Sequence, residues 1–248
     1  MTDEARRPTA GKSVFTASAE YYDAIYATFK DYRTEATKLA ALLRAINPAC
    51  KTILDVACGT AEHELYLTDA GFTVDGLDID ETFLRIARTK NPTCRFFLGD
   101  MSAFDLPDRY DAVICLFSSI GYLRTLDRLV TALHCFRRHL APGGIIVVEP
   151  WFAPGVLDPA RVVKNTGEGN GVRVSRISRV ELEGRLSRLR FDYEITDGVD
   201  TRRAQEVHEL GLFTTAELLQ TFRDAGLEAD YDPKGLTDRG LYIAKAAA

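Results

Sequence analysis

The sequence predicts an α/β fold: a doubly wound, mostly parallel sheet of the Rossmann-like kind, interrupted by an antiparallel β insertion. Three observations predict it. Short apolar runs alternate with amphipathic helical stretches from residue 34 to residue 149, and glycine or acidic residues punctuate the ends of those runs. After residue 156 the pattern changes to long segments of alternating character, and near residue 214 it returns to helix and strand.

Each element is set by its own residues. A helical stretch begins near Ala19, and Thr34–Ile46 carries one apolar stripe at Leu39, Leu42, Leu43 and Ile46. Past Pro48, Thr52–Ala57 is expected as a short buried strand running into Cys58 and Gly59, with a helix opening near His63. Phe72–Leu77 forms the second strand, and Asp80–Lys90 a helix started by an acidic cap. Arg95–Leu98 is a third strand and Tyr110–Phe117 a fourth, apolar enough for the centre of a parallel sheet. The stripe Leu126, Leu129, Val130, Leu133, Phe136 and Leu140 makes a helix that Pro142-Gly143-Gly144 is expected to stop, and Ile145–Glu149 is the fifth strand. The insertion is expected to hold three strands, Val172–Leu182, Leu186–Ile195 and Arg203–Phe213, with a tight turn at Gly184. Thr214 and Glu217 form a capping box that opens a helix through Phe222, closed by Gly226. Closing strands lie near Leu227–Tyr231 and Leu241–Ala244. The chain divides accordingly into a flexible tail (1–13), a core with an N-terminal helical cap (14–155), the insertion (156–212) and closing core elements (213–248).

Composition excludes several classes. A formal net charge of −5, without a run of Lys and Arg, argues against nucleic acid and anionic membranes as partners. The polar stretch 1–13 is not a signal peptide, and the longest apolar run, Ala112–Phe117, is too short to span a bilayer. The five cysteines are odd in number and contain no C-x-x-C, which fits reduced thiols in the cytoplasm. No cluster has metal-ligand spacing.

The chemistry concentrates where strands end. Leu54–Glu62 is a strand, a glycine turn and a helix start, which brings backbone close to a ligand and offers unpaired N–H groups to an anion. Asp78 ends the second strand nineteen residues after Gly59, where a carboxylate can bind both hydroxyls of an adenosine ribose. Gly99-Asp100-Met101 comes after the third strand, where a carboxylate and an apolar side chain can hold adenine. A dinucleotide fingerprint would need G-x-G-x-x-G, but the series here is Gly59-x-Ala61-x-x-Glu64. A glutamate near a pyrophosphate is unfavourable, whereas S-adenosyl-L-methionine, with its ammonium and sulfonium, tolerates an acidic neighbourhood. An NAD oxidoreductase and a catalytically silent adenosylmethionine-binding module remain the alternatives.

Asp55–Thr60, Gly76–Asp78, Gly99–Met101, Phe117–Tyr122, Val148–Trp151 and Arg239–Leu241 occur in one order that resembles the nucleotide-linked amino-sugar N,N-dimethyltransferases of macrolide deoxysugar formation. The resemblance covers almost the whole chain, including Tyr22-Asp23 and Asp31-Tyr32. It implies an S-adenosyl-L-methionine-dependent N-methyltransferase acting on the amino group of a nucleotide-linked deoxy sugar. The alternative is another small amine or a hydroxyl acceptor.

The resemblance implies that Tyr22 and Tyr32 cover the methionine end of the cofactor, while Asp78, Asp100 and Met101 hold adenosine. Ala57, Gly59, Ile79 and Leu116 complete the cofactor set. Ser119, Tyr122 and Trp151 line the substrate cleft, and Arg239 meets the diphosphate. The acceptor amine needs only to bind deprotonated and aligned, so catalysis is expected to rest on proximity, with Tyr122 the one candidate for a chemical role. A homodimer through the insertion is a further expectation.

Three departures from the resemblance stand out. Ala61 replaces a usual glycine, a mild change if its φ is negative. Tyr122 stands where a relative has histidine, so a relay through histidine is expected to be lost. Near Val14 the chain lacks a substrate-contacting tyrosine. Asp55 is expected to hydrogen-bond the turn backbone, and His63, His134 and His139 to be structural or solvated, while His208 has even claims to core and cleft.

Overall fold

A computed structural model describes Phe15, residues 18–169 and residues 171–247. The expected N-terminal tail and Val14 lie outside the described residues. The chain opens with a 3-10 turn, Ala19–Tyr21, continuous with α1 (Tyr22–Tyr26), and then α2 (Tyr32–Ile46). The core then runs β1 (Thr52–Val56), α3 (Glu62–Asp69), β2 (Thr73–Asp78), α4 (Glu81–Lys90), β3 (Arg95–Leu98) and β4 (Tyr110–Cys115). A second 3-10 turn, Ser119–Leu123, leads into α5 (Leu126–Arg138) and β5 (Leu140–Val148). The insertion is β6 (Val163–Gly169), β7 (Val172–Glu183), β8 (Leu186–Thr196) and β9 (Thr201–Gly211), and the chain closes with α6 (Thr215–Asp224), β10 (Leu227–Asp232) and β11 (Leu241–Ala246).

Seven strands form one sheet in the order β10-β11-β5-β4-β1-β2-β3. The five strands from β5 to β3 in that order are mutually parallel, and β11 runs antiparallel to both β5 and β10. The order reverses between β1 and β4, so the carboxyl ends of those strands open on a crevice, the place where such sheets bind ligands. The core is built by alternation along the strands. Leu54, Val56, Val113, Cys115, Ile146 and Val148 face one side, where α5 and α6 supply Leu129, Leu133, Phe136 and Phe222. Ile53, Val74, Ala112, Ile114, Ile145 and Val147 face the other, against Leu39, Leu43 and Leu67 of α2 and α3. Both faces are dry, which accounts for near-continuous apolar runs in place of alternation in the sequence.

Helix starts sit at the capping residues. Asp80 accepts from the backbone N–H groups of Thr82 and Phe83, and Thr214 and Glu217 complete the capping box of α6. The end of α5 differs from expectation. Pro142-Gly143-Gly144 does not stop the helix; it lies inside β5, in an irregularity where pairing passes from Tyr110–Leu140 to Ala112–Ile145. The helix has already ended at Arg138, where buried His139 accepts from the Leu106 N–H at Nε2 (2.8 Å) and bonds the Cys135 carbonyl through Nδ1 (2.7 Å). This histidine is structural.

The insertion is a separate antiparallel sheet of four strands, β6-β7-β8-β9, one more than expected. The extra strand, Val-Lys-Asn-Thr-Gly-Glu-Gly, has one buried residue, Gly167, and no apolar alternation to announce it. A Cβ at Gly167 would sit 1.8 Å from the Ala24 carbonyl oxygen, so only glycine lets β6 close on α1. Ile25 and Tyr26 of α1 pack there with Val174, Phe191, Tyr193 and Ile195 of the sheet. The N-terminal helix is thus clamped between the insertion and the crevice.

Candidate active site

The turn after β1 is tightly wound. Ala57, Gly59 and Ala61 have φ of 62°, 58° and 61°, and the Ala57 and Cys58 N–H groups both donate to the Leu77 carbonyl at 2.7 and 3.1 Å. Space in front of Gly59 is open, with no heavy atom within 4 Å of a Cβ built there, so a ligand can reach the backbone. Ala61 departs from expectation. Its φ is positive, so replacing glycine there is not mild: an L-residue in the left-handed region costs about 1–2 kcal/mol. Complete burial of the methyl group, about 0.8 kcal/mol, offsets part of this.

Asp78 is buried at the end of β2. Its two oxygens accept from the Gly59 N–H and the Asp80 N–H, both at 2.8 Å, which ties the glycine turn to the next strand. Burial outweighs these bonds and pushes its carboxyl up to about 6. A carboxylate has about four lone-pair sites, so two remain for ribose hydroxyls. Ile79, beside it, is half-buried. The Gly99 N–H donates to the Asp78 carbonyl (2.9 Å), which brings Asp100 and Met101 next to the same strand end. Asp100 accepts from the Ser102 N–H (2.8 Å) and hydroxyl (2.7 Å), and Met101 packs partly on the core.

The crevice between β1 and β4 is lined by Tyr22, Tyr32, Asp55, Ala57, Cys58, Gly59, Thr60, Glu62, His63, Leu116, Phe117 and Ser119. Six expected residues meet here: Tyr22, Tyr32, Ala57, Gly59, Leu116 and Ser119. Asp78 joins them through its bond to Gly59. Asp100 and Met101 stand to one side; Arg239 lies over the Phe117 and Trp151 rings, and Tyr122 lies against β9.

Asp55 does not hydrogen-bond the turn as expected; Asp78 takes that part. Asp55 instead faces the crevice, its carboxyl raised by burial and by the charge of Asp78. Glu64, completely buried on α3, has no hydrogen-bond partner for either oxygen, and burial pushes its carboxyl well above the ordinary range. Lys30, which no sequence motif marks, is buried beside Glu35 and His63, with its ammonium 4.1 Å from the Phe117 ring centre and 4.8 Å from that of Tyr32. Its neighbourhood in the chain is silent because its partners lie on α2 and α3.

Beyond Phe117 the chain is bent sharply, with φ of 50° at Phe117 and 66° at Ser118. The bend is held by buried Glu149, which accepts from the Phe117 N–H (2.6 Å) and the Thr237 hydroxyl, and by the Ser118 hydroxyl on the Pro150 carbonyl (2.6 Å). The Glu-Pro-Trp segment is therefore a brace for the end of β4. Arg239 donates to the Ser118 hydroxyl (3.3 Å) and lies over the rings of Phe117, Trp151 and Phe152 at 5.1, 5.9 and 5.5 Å. Among the described residues it has no carboxylate partner. Trp151 donates to the Ser187 hydroxyl (2.8 Å), joining the core to β8.

His208 lies on β9 against Tyr122. It is fully buried, and its Nδ1 is 2.8 Å from the Tyr122 hydroxyl. A histidine of β9 thus stands next to the Tyr122 hydroxyl. Phe15 packs on the same group, 4.6 Å from the His208 ring and 5.6 Å from Tyr22.

Open backbone at Gly59, a buried carboxylate at the end of β2 and an acidic, aromatic crevice fit an adenosyl sulfonium. No group of metal-ligating side chains occurs among the described residues, and no helix there is long and apolar enough to cross a membrane.

Residues 53–144 match the family described as "Methyltransferase domain". The chain is 40% identical over 233 residues to dTDP-3-amino-3,6-dideoxy-alpha-D-glucopyranose N,N-dimethyltransferase of Streptomyces fradiae, covering 93% of this chain and 91% of that protein. The crystal structure of Streptomyces venezuelae DesVI superposes with a TM-score of 0.85 at 34% identity, over 96% of this chain and 100% of that one. The structure of SAM-bound CalS10, an amino pentose methyltransferase from Micromonospora echinaspora, gives 0.79 at 33% identity, over 96% and 99%. Likeness of this extent makes the chain a member of the family of S-adenosyl-L-methionine-dependent dTDP-amino-sugar N,N-dimethyltransferases.

Proposed function

We propose that the enzyme methylates the ring amino group of a dTDP-linked deoxy amino sugar, with the diphosphate on Arg239 and the sugar against Trp151, Ser119 and Tyr122. The observation that carries this reading is Arg239: a half-buried guanidinium stacked among three rings, with no acidic partner among the described residues, in a protein of net negative charge. Such a cation is a strong phosphate ligand, because its fork matches two oxygens at once. When bound, the cofactor supplies an electrophilic methyl group on sulfur.

The protein's own contribution is binding and exclusion of water. Asp78 takes the ribose hydroxyls, and Asp100 and Met101 the adenine. Tyr22, Tyr32 and Asp55 face the cationic end, with Ala57, Gly59, Ile79 and Leu116 forming the walls. The bend at Phe117 and Ser118, held by Glu149, sets Ser119 and Tyr122 at the mouth of β4, where acceptor nitrogen and methyl carbon must line up.

Mass spectrometry of products formed from dTDP-3-amino and dTDP-4-amino deoxy sugars, with adenosylmethionine, tests the reading. The expected result is addition of one and then two methyl groups to a dTDP sugar, with the same sugar lacking its nucleotide a poor substrate. Equal turnover of non-phosphorylated amines would replace it with the small-amine alternative.

Exposure of Leu182 and Val207 on the insertion, at 40% and 45%, supports a homodimer through this sheet, which analytical ultracentrifugation would test. The five free cysteines support a cytoplasmic setting.

A further inference from the structure

We propose that Tyr122, His208 and Glu206 form a proton relay that takes a proton from the acceptor nitrogen and holds it on His208 during methyl transfer, so that the enzyme can use an amine that arrives as its ammonium. The inference rests on the amino-sugar reading above.

The direction of the relay is fixed by hydrogen bonding. Glu206, buried on β9, accepts from the Ser18 N–H (2.9 Å), the Ser18 hydroxyl (2.8 Å) and the Tyr193 hydroxyl (3.0 Å). The Ser18 N–H can only donate, and with both hydroxyls donating as well Glu206 serves the network as an acceptor. Its Oε2 also faces His208 Nε2 at 3.4 Å, which assigns the ring proton to Nε2 and leaves Nδ1 with a lone pair. The Tyr122 O–H, 2.8 Å away, therefore donates to Nδ1, and the phenol oxygen keeps its own lone pairs for a donor in the cleft. Every bond points away from the substrate. The arrangement has the logic of a carboxylate–histidine–hydroxyl triad, with a tyrosine as the hydroxyl.

Atoms and charge balance through the step. An N–H bond of the sugar ammonium breaks and its proton forms an O–H bond on Tyr122. The original Tyr122 proton passes to His208 Nδ1, and the imidazolium so formed lies against Glu206. The neutral amine then attacks the methyl carbon: a C–N bond forms, the C–S bond breaks, and the electron pair stays on sulfur. After product leaves, the imidazolium returns its proton by the same two bonds to solvent. Burial pushes the Tyr122 phenol well above its ordinary range, so it passes one proton only as it receives another. A second methylation calls on the relay again, because a monomethyl amine formed at the first step is itself an ammonium.

Other charged and titratable groups face the relay. Tyr193 from β8 reaches Glu206. Arg176 from β7 stacks on Phe191 (4.5 Å) and donates to the Tyr26 hydroxyl of α1 (3.0 Å). Tyr22 and Asp78 stand on the cofactor side. Phe15 and Phe191 close over the His208 ring at 4.6 and 4.8 Å. Tyr122 touches substrate in this scheme; His208 and Glu206 act through it and are positioning residues.

The test is single-turnover methylation of dTDP-3-amino-3,6-dideoxyglucose by full-length enzyme at saturating adenosylmethionine, from pH 6 to pH 9.5. Tyr122→Phe removes the relay's first oxygen, and His208→Gln keeps hydrogen-bonding capacity without basicity. Both variants should be about 100-fold slower than wild type at pH 7. Their rates should climb about tenfold per pH unit and approach wild type by pH 9.5, where the amine enters deprotonated. Calorimetric affinity for adenosylmethionine should stay within about twofold, reporting an intact fold. An equal deficit at every pH, or none at pH 7, overturns the relay. Should His208→Gln not fold, the pH dependence of Tyr122→Phe, at a half-buried position, decides alone. Absence of wild-type turnover with any nucleotide amino sugar overturns the substrate reading and the relay with it.

Discussion

Replacing Asp78 by alanine removes one acceptor group that serves two purposes, and the structure separates them. Inside the protein, the part-buried Gly59 N–H and the buried Asp80 N–H, each 2.8 Å from the carboxylate, lose their partner. Each orphaned donor costs about 1–3 kcal/mol, so the variant should lose about 2–6 kcal/mol of stability. Toward the ligand, two charge-assisted bonds to ribose hydroxyls disappear, about 1.5–3 kcal/mol, which weakens adenosylmethionine binding about 10–150-fold. Chemical denaturation measures the first effect, and isothermal calorimetry at low temperature, on protein shown to be folded, measures the second. The pH dependence adds a sign. Burial raises the folded-state pKa of Asp78 to about 6, so the carboxylate is present above that pH and protonates as pH falls through it. Wild-type affinity should therefore decline below pH 6, and Asp78→Asn should flatten that decline. Unchanged affinity in Asp78→Ala beside lowered stability would leave Asp78 as a turn anchor and refute its assignment to ribose.

Two further outcomes are expected. Arg239→Ala should lower kcat/KM for the nucleotide sugar by about 2–3 kcal/mol in transition-state terms, with adenosylmethionine affinity unchanged; steady-state kinetics alongside calorimetry would detect a shared loss, which would instead mark a structural arginine. Thr214→Ala breaks the capping box of α6, remote from the crevice, and should cost about 1 kcal/mol in thermal or denaturant unfolding without altering kcat.

The parallel core was legible because its signals are local. An apolar run of five or six residues with a glycine or carboxylate at its end specifies a buried strand and the turn after it. Asp78, Asp80 and Thr214 act on backbone within a few residues of themselves or on the adjoining strand. The same locality explains the errors. Pro142-Gly143-Gly144 has the composition of a helix terminator, yet the histidine three residues earlier already satisfies the last turn, and the glycines serve an irregular strand instead. β6 was missed because its surroundings give it no amphipathic pattern: one face meets α1 at Gly167, too close for any side chain.

The α/β class and the family are already written in the order of short motifs at successive strand ends. Contacts between distant segments become visible in the folded chain alone. Tyr122 and His208 are 86 residues apart, and Ser18 and Glu206 are 188 apart. No periodicity links them, since a hydrogen bond between β9 and a turn after β4 depends on how the insertion folds back over α1. The left-handed φ of Ala61 belongs with them. A glycine-to-alanine change looks harmless in a string of letters, and its cost appears only when the backbone angle and the burial of that one methyl group are known.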